Sequence, residues 1–214
     1  MGRIFLVRHG QTTWNKEEVF RGTLDIPLND FGRKQAQEVG NKLKSLSLND
    51  PLLISSPLGR ALETAEIAGK AIFGKQVSIE QNFTDINFGE WQGKAKTEIE
   101  KLYPGLYRKW LTDPATIIFP GGESLEKVAA RAKGTLYRLA RDCKDHDLVI
   151  VSHRVVNKVL LCCLLGAGLN PFWKIKQDTA CINILEYDGL SFFICVLNDT
   201  CHLLPFEQGD TTDF

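Results

Sequence analysis

Arg8 and His9 sit side by side, directly after the apolar run at residues 4–7 and directly before Gly10. A run of that length reads as a buried strand, and the glycine ends it. The pair is therefore expected at the carboxyl end of a strand, where open α/β sheets hold their ligands. A guanidinium fixed beside an imidazole nitrogen suits one task in particular, taking a phosphoryl group onto histidine. His153 repeats the placement, because it follows a second strand-like run at residues 147–152. If the two strands are neighbours, both imidazoles reach one pocket at one edge of the sheet. His146 and His202, in a polar turn and past the last strand, read as hydrogen-bonded structural residues.

A phosphoryl group in transfer keeps charge on three equatorial oxygens, so its catalysis is largely positioning and electrostatics. Arginine fits because its planar fork donates paired hydrogen bonds and stays charged. Arg8 precedes the candidate nucleophile. Arg60 lies one turn into a helix that Ser56-Pro57 is expected to open, just after a second short strand at residues 52–55. It can point over the same edge, although spacing alone is equally consistent with a solvated helix arginine. The departing alkoxide needs a proton, and Asp85 and Glu90 are the candidate donors. A carboxylic acid serves near neutrality only if burial or bound charge raises its pKa. The residue pattern does not choose between the two, nor between either and a surface turn.

No metal or cofactor is expected. The chain has no HExxH, no CxxC and no Asp-rich magnesium motif, and its paired glycines match neither GxGxxG nor a Walker loop. The six cysteines read as small buried hydrophobes, not as disulfides or a zinc site.

The elements that must position these residues alternate. The 214 residues are 43% hydrophobic and 24% charged, enough for a sizeable core. Basic and acidic residues balance at 26 each, which gives no overall footprint for nucleic acid or membrane. No leader or membrane-spanning stretch is read, and a cytoplasmic location is expected. Asp30 is expected to cap a helix over residues 31–46, and Ser124 another reaching residue 142. A helix over residues 155–165 should follow the His153 strand. Residues 77–80 form a further short strand. Residues 181–187 and 191–197 read as a hairpin through Asp188-Gly189. Strand–helix alternation followed by a hairpin predicts a three-layer α/β/α fold, a mixed and mostly parallel sheet with helices on both faces. The chain reads as a single domain, 1–214, with an irregular, cap-like insertion at about 83–120. Trp91, Tyr103, Tyr107 and Trp110 there form either an amphipathic face or a substrate rim. Residues 208–214 read as a mobile tail, and an exposed apolar hairpin edge favours a homodimer.

Several segments together resemble the histidine phosphatase superfamily, the phosphoglycerate mutase-like fold. They are Leu6-Val-Arg-His-Gly-Gln-Thr-Thr-Trp-Asn15, Ser55-Ser56-Pro57-Leu58-Gly59-Arg60-Ala61, Phe88-Gly89-Glu90-Trp91-Gln92-Gly93, Gly121-Gly122-Glu123-Ser124 and Val149-Ile-Val-Ser-His153. Asn198-Asp199-Thr200-Cys201-His202-Leu203 is similar to the ending of phosphatase-type members. The resemblance implies that His9 becomes phosphohistidine and that Arg8, Arg60 and His153 form the phosphate pocket; in the expected mechanism a protonated His153 helps to stabilise the spread charge. The resemblance places Asn15 against substrate or phosphate, Arg21-Gly22-Thr23 at the mouth, and the acid at Asp85. Two departures stand out. The family commonly has Glu at the acid position, so a closer backbone, a substituting Glu90 or weaker activity must compensate. It often has Gly after the second histidine, where this chain has Arg154, which either crowds the pocket, contacts a substrate anion or points away. The expected activity is metal-independent phosphomonoester hydrolysis on a small phosphorylated metabolite. The alternatives are phosphoglycerate mutase-type transfer, disfavoured by the short stretch between Gly93 and Gly121, and a non-catalytic phosphate-binding module.

Overall fold

β1 (Arg3–Arg8) is buried from its second residue onward, and its side chains alternate between two cores. Ile4 and Leu6 face one, Phe5 and Val7 the other. β4 (Leu148–Ser152) repeats the pattern, with Leu148 and Ile150 opposed to Val149 and Val151. Strands apolar on both faces require cover on both. In the computed structural model, which describes residues 2–204 except 73 and 75, that cover is two pairs of helices. α2 (Asp30–Ser45) and α3 (Gly59–Ala71) close one face, and α6 (Leu125–Asp142) and α7 (Arg154–Leu164) the other.

The six strands run in the order β3-β2-β4-β1-β5-β6. β2 (Leu52–Ser55) pairs in parallel with both β3 (Val77–Ile79) and β4, and β4 pairs in parallel with β1. β5 (Ile182–Tyr187) lies antiparallel to β1, and β6 (Phe192–Asp199) antiparallel to β5. This is the three-layer α/β/α architecture with a mixed, mostly parallel sheet. The register sets Arg8 opposite Ser152, so His9 and His153 leave adjacent parallel strands at the same level. β6 is an edge strand and exposes Phe193 and Leu197.

Local chemistry moves some element ends. Asn29, not Asp30, caps α2: its Oδ1 accepts the Gly32 N–H at 2.8 Å. Asp30 becomes the first helical residue, where its charge faces the positive helix end. Pro57 does not open α3, which begins at Gly59; the Leu58 N–H instead donates to Ser56 Oγ at 3.3 Å. Ser124 caps α6 as expected, accepting from the Lys127 N–H. The hairpin turn closes over residues 188–191, with Asp188 Oδ1 accepting from the Leu190 and Ser191 amides.

Residues 83–120 contain short helices rather than a continuous layer: α4 (Lys96–Leu102) and α5 (Pro104–Thr112) lie between 3-10 turns, and a four-residue α1 (Thr13–Lys16) sits in the first loop. Three of the four aromatics expected as a rim or a solvated face, Trp91, Tyr107 and Trp110, are instead buried, while Tyr103 stays half-buried. Trp91 and Trp110 are fully buried, and Phe20, Phe88 and Phe119 meet them edge to face with centroids 5.0–6.1 Å apart. Each such pair adds roughly 0.5–1.5 kcal/mol beyond area burial, which ties this irregular stretch to the α6–α7 core. Of the cysteines, Cys162 and Cys181 are buried as expected, while Cys195 and Cys201 are exposed. His146 and His202 each bond a backbone carbonyl, Asp50 and Ala180 respectively. The expected tail lies outside the described residues. No helix among them is long and apolar enough to cross a membrane.

Candidate active site

His9 is held by backbone on three sides. Its N–H donates to Ser152 O at 3.0 Å, its carbonyl accepts from Ala180 N at 3.1 Å, and Gly10 N donates to Thr64 Oγ1. Gly10 packs so closely on Gly32 that a Cβ would strike the Gly32 carbonyl. The ring is 1% exposed. Its Nδ1 lies 2.6 Å from Gly10 O, and a carbonyl can only accept, so Nδ1 carries the proton. Arg60 Nε points at Nε2 from 3.3 Å, which requires a lone pair there. Both contacts fix the tautomer, with the Nε2 lone pair accepting from Arg60.

His153 lies beside it, with ring centroids 5.2 Å apart. Ser56 Oγ accepts the Leu58 N–H and stands 2.7 Å from His153 Nε2, so its own hydrogen is available to that nitrogen. His153 Nδ1 is buried with no hydrogen-bond partner among the described residues. Burial first, then Arg60, push both imidazoles well below the usual histidine pKa of 6.5. His153 is thus neutral near pH 7 in this structure, in contrast to the protonated form of the expected mechanism.

Arg60 settles the choice left by its spacing, since it is fully buried. Nη1 donates to Leu24 O and Nη2 to Gly22 O, both at 2.8 Å, and Nη2 reaches Asp85 Oδ2 at 3.1 Å. Burial pulls its pKa down to about 10 against the opposing pull of Asp85, which still leaves it charged near neutrality. Gly22 has φ +52°, and a Cβ there would strike Gln92 Oε1 and the Ile86 carbonyl. Only glycine brings that carbonyl to the guanidinium. Arg8, also fully buried, donates from Nη1 to Gln177 O at 2.6 Å.

Asp85 is the carboxylate that reaches the histidines. Its Oδ2 is 3.8 Å from His153 Nδ1, and its Oδ1 accepts the Ile86 N–H at 3.0 Å. Glu90 is not brought in: its carboxylate accepts from Tyr103 O–H at 2.7 Å on the exposed side. Arg21, Gly22 and Arg154 line the hollow in front of His9 together with Asp85. Thr23 stands just behind, its N–H and hydroxyl on Gln92 Oε1. Asn15 uses its side-chain carbonyl on Thr12, with Oδ1 accepting from Thr12 N at 2.8 Å.

Sequence reasoning missed two contributors. Ser56 was read only as a helix opener. Arg131 of α6 donates to the Asn82, Thr84 and Asp85 carbonyls and to both oxygens of Glu123. One signal was present: Arg131 falls on the buried face of α6, three residues after Val128 and one before Ala132. Among the described residues no group of three His, Cys, Asp or Glu side chains could hold a metal ion.

His9 lines the hollow with Arg21, Asp85 and Arg154, and Arg60 and His153 stand against His9 and Asp85; such a set can bind a phosphoryl group. Residues 4–200 match the Histidine phosphatase superfamily (branch 1). The chain belongs to this superfamily. It is 35% identical over 207 residues to Phosphoserine phosphatase 1 of Hydrogenobacter thermophilus, covering 96% of each chain. It is 36% identical over 202 residues to Phosphoglycerate mutase-like protein 4 of Arabidopsis thaliana, covering 94% of this chain and 86% of the other. A solved mycobacterial glucosyl-3-phosphoglycerate phosphatase superposes with a TM-score of 0.84 at 28% identity, over 94% of this chain and 100% of that one. As a histidine phosphatase the protein is a phosphomonoester hydrolase.

Proposed function

We propose that this histidine phosphatase hydrolyses a small phosphorylated metabolite without a metal, through a phosphohistidine at His9. The tautomer of His9 supports this most directly: its Nδ1–H is spent on Gly10 O, so Nε2 carries the lone pair, which the Arg60 N–H caps until a phosphoryl group in the hollow draws that guanidinium to its oxygens. The lone pair attacks phosphorus in line, and the ester P–O bond breaks. Arg8, Arg60 and His153 are assigned to the oxygens where charge spreads. Asp85, as the acid, protonates the departing oxygen. Its carboxylate then takes a proton from water, whose oxygen attacks phosphorus. The P–N bond breaks, releasing inorganic phosphate and neutral His9. The short Asp85 side chain already lies near Arg60 and His153, which supports this role despite the missing methylene.

The same reading makes residues 1–214 one catalytic domain, with 83–120 as a cap-like insertion that carries Asp85 between two 3-10 turns. Relatives named for phosphoserine, phosphoglycerate and glucosyl-phosphoglycerate support a small metabolite as substrate. Quenching turnover of a ³²P-labelled ester and mapping the label tests the mechanism. An acid-labile, base-stable label on His9 is expected, and His9→Ala should lose roughly a thousandfold or more in kcat. A label on another residue, or turnover by His9→Ala near the wild-type rate, ends the assignment. Net 3-to-2 phosphoglycerate interconversion outpacing phosphate release would replace hydrolysis with transfer.

A further inference from the structure

His9 follows the point where the β1–β5 ladder ends. Val7 pairs with Ile182, and the chain ahead of Ile182 is a turn over residues 178–181, closed by the Cys181 N–H on Asp178 O. Arg8 N–H donates to Cys181 O and Ala180 N–H to His9 O, both at 3.1 Å. Gly10 N–H donates to Thr64 Oγ1, so the His9–Gly10 peptide is gripped at both ends. The next carbonyl, Gly10 O, takes the ring Nδ1–H. On its β5 side the nucleophile is therefore held by a turn, not by a strand.

Ala180 is fully buried and has φ +58° at the third position of this turn, where glycine or asparagine is usual. A residue in such a conformation persists where its surroundings over-determine it. Side chains around the turn do so. Gln35 Nε2 donates to Thr179 Oγ1 at 3.0 Å. Asn198 grips Asp178 twice, its Oδ1 accepting the Asp178 N–H at 2.7 Å and its Nδ2 donating to Asp178 Oδ2 at 2.8 Å. His202 Nε2 lies 3.0 Å from Ala180 O and carries the proton, since a carbonyl only accepts. Asn198 is itself left-handed at φ +51°, which asparagine tolerates, and its N–H is fixed on Asn183 Oδ1. Both residues belong to the segment 198–203, where β6 ends and a 3-10 turn over Cys201–Leu203 follows.

We infer that Asn198 and His202 are positioning residues for the nucleophile: they hold the 178–181 turn in its left-handed form, and the turn holds the His9–Gly10 peptide. The inference rests on the reading of His9 as nucleophile, and both residues act through the turn, not on the ester.

The test uses the full chain with p-nitrophenyl phosphate, glycerol 3-phosphate and O-phosphoserine. It also follows the His9 Nδ1–H by proton NMR, assigned by its loss in His9→Gln. His202→Leu and Asn198→Gly should each lower kcat about tenfold on every ester alike, because a misplaced nucleophile slows them all. Glycine at 198 removes the side chain and keeps the left-handed backbone. KM should stay within about threefold, and His202→Gln, which keeps an N–H donor, should stay within about threefold of wild type in kcat. Ala180→Gly placed on His202→Leu should recover most of the loss, because glycine holds φ +58° unaided. The Nδ1–H resonance should move in His202→Leu and return when Ala180→Gly is added. Phe193→Thr, on the exposed side of β6, should lower Tm at most. If His202→Leu does not fold by thermal melting, Asn198→Gly with and without Ala180→Gly carries the test. Unchanged kcat in both variants overturns the inference, as does a loss that Ala180→Gly leaves in place. A loss confined to the two alkyl esters also overturns it, because the effect then runs through the acid. Wild type that releases phosphate from none of the three esters overturns the phosphatase reading, and the resonance alone then decides the positioning.

Discussion

The two ends of the bond that the proposed mechanism breaks are built by different means. At the phosphoryl end, His9 and His153 follow adjacent parallel strands, and Arg60 follows a third on α3. Sheet register fixes these positions, and backbone carbonyls orient the side chains. At the leaving-group end, Asp85 stands on a stretch of 3-10 turns between Gln81 and Trp91. No ladder positions it. One arginine from α6 holds three of the surrounding carbonyls from behind, and Arg60 holds the carboxylate from the front. Chemistry common to all phosphate esters is placed on rigid elements. The group that must match a particular leaving oxygen is placed on a clamped loop, where small changes in backbone alter reach.

Removing the carboxylate at the loop end tests this contrast most severely. Asp85→Asn should lower kcat about a hundredfold to ten-thousandfold on an alkyl phosphate, the usual worth of a general acid–base. The loss should be far smaller on p-nitrophenyl phosphate, whose leaving group needs little protonation. Glu90→Gln should change either rate less than about threefold, because Glu90 is engaged with Tyr103 on the exposed side. Equal losses on both esters for Asp85→Asn, or a larger loss for Glu90→Gln, would move the acid elsewhere.

The same contrast explains what was legible. The apolar runs before His9 and His153 end in those residues, so period and punctuation alone placed both imidazoles at strand ends. Arg60 was visible only as one of two readings, because helical spacing does not reveal that its guanidinium turns inward onto Gly22 and Leu24. The aromatics of residues 83–120 carry no clean period, and their burial against Phe20 and Phe119 depends on long-range packing. Pro57 was misplaced by two residues because Ser56 and Leu58 bond each other ahead of the helix. The neutral state of His153 depends on total burial and a facing guanidinium, neither of which a strand pattern contains.

Arg131 sharpens the comparison with a smaller effect. Arg131→Met removes the clamp and leaves the Asp85 segment free to shift. A displacement near 1 Å at a reacting group costs up to about a hundredfold, and roughly tenfold in kcat is expected here, because Arg60 still holds Asp85. The diagnostic is the ester dependence. If Arg131 acts by positioning Asp85, its loss should be greater on the alkyl than on the aryl ester, as for Asp85→Asn. A merely structural arginine would lower both equally and shift Tm alone.

The smallest predicted effect is on stability, and it belongs to the phosphoryl end. His9 and His153 are held neutral by burial and by Arg60, well below the value of 6.5 they regain on unfolding. Below pH 6.5 the unfolded chain therefore binds more protons than the folded one, so stability rises with pH and falls on acidification. The limiting slope is about 1.4 kcal/mol per pH unit for each histidine. Asp147 adds to acid lability in a lower window, below its usual 3.8: burial would raise its pKa, but the Arg3 hydrogen bond and the Asn49 and Arg3 amides outweigh that. Between these windows, His153→Gln should flatten the stability curve by about one histidine's slope. Hydrogen exchange near pH 5 should show protection falling first at residues 9–12 and at the start of α7, not around Asp85. Loss of protection beginning in residues 81–91 would mean that the loop end, not the strand end, carries the acid-labile charge balance.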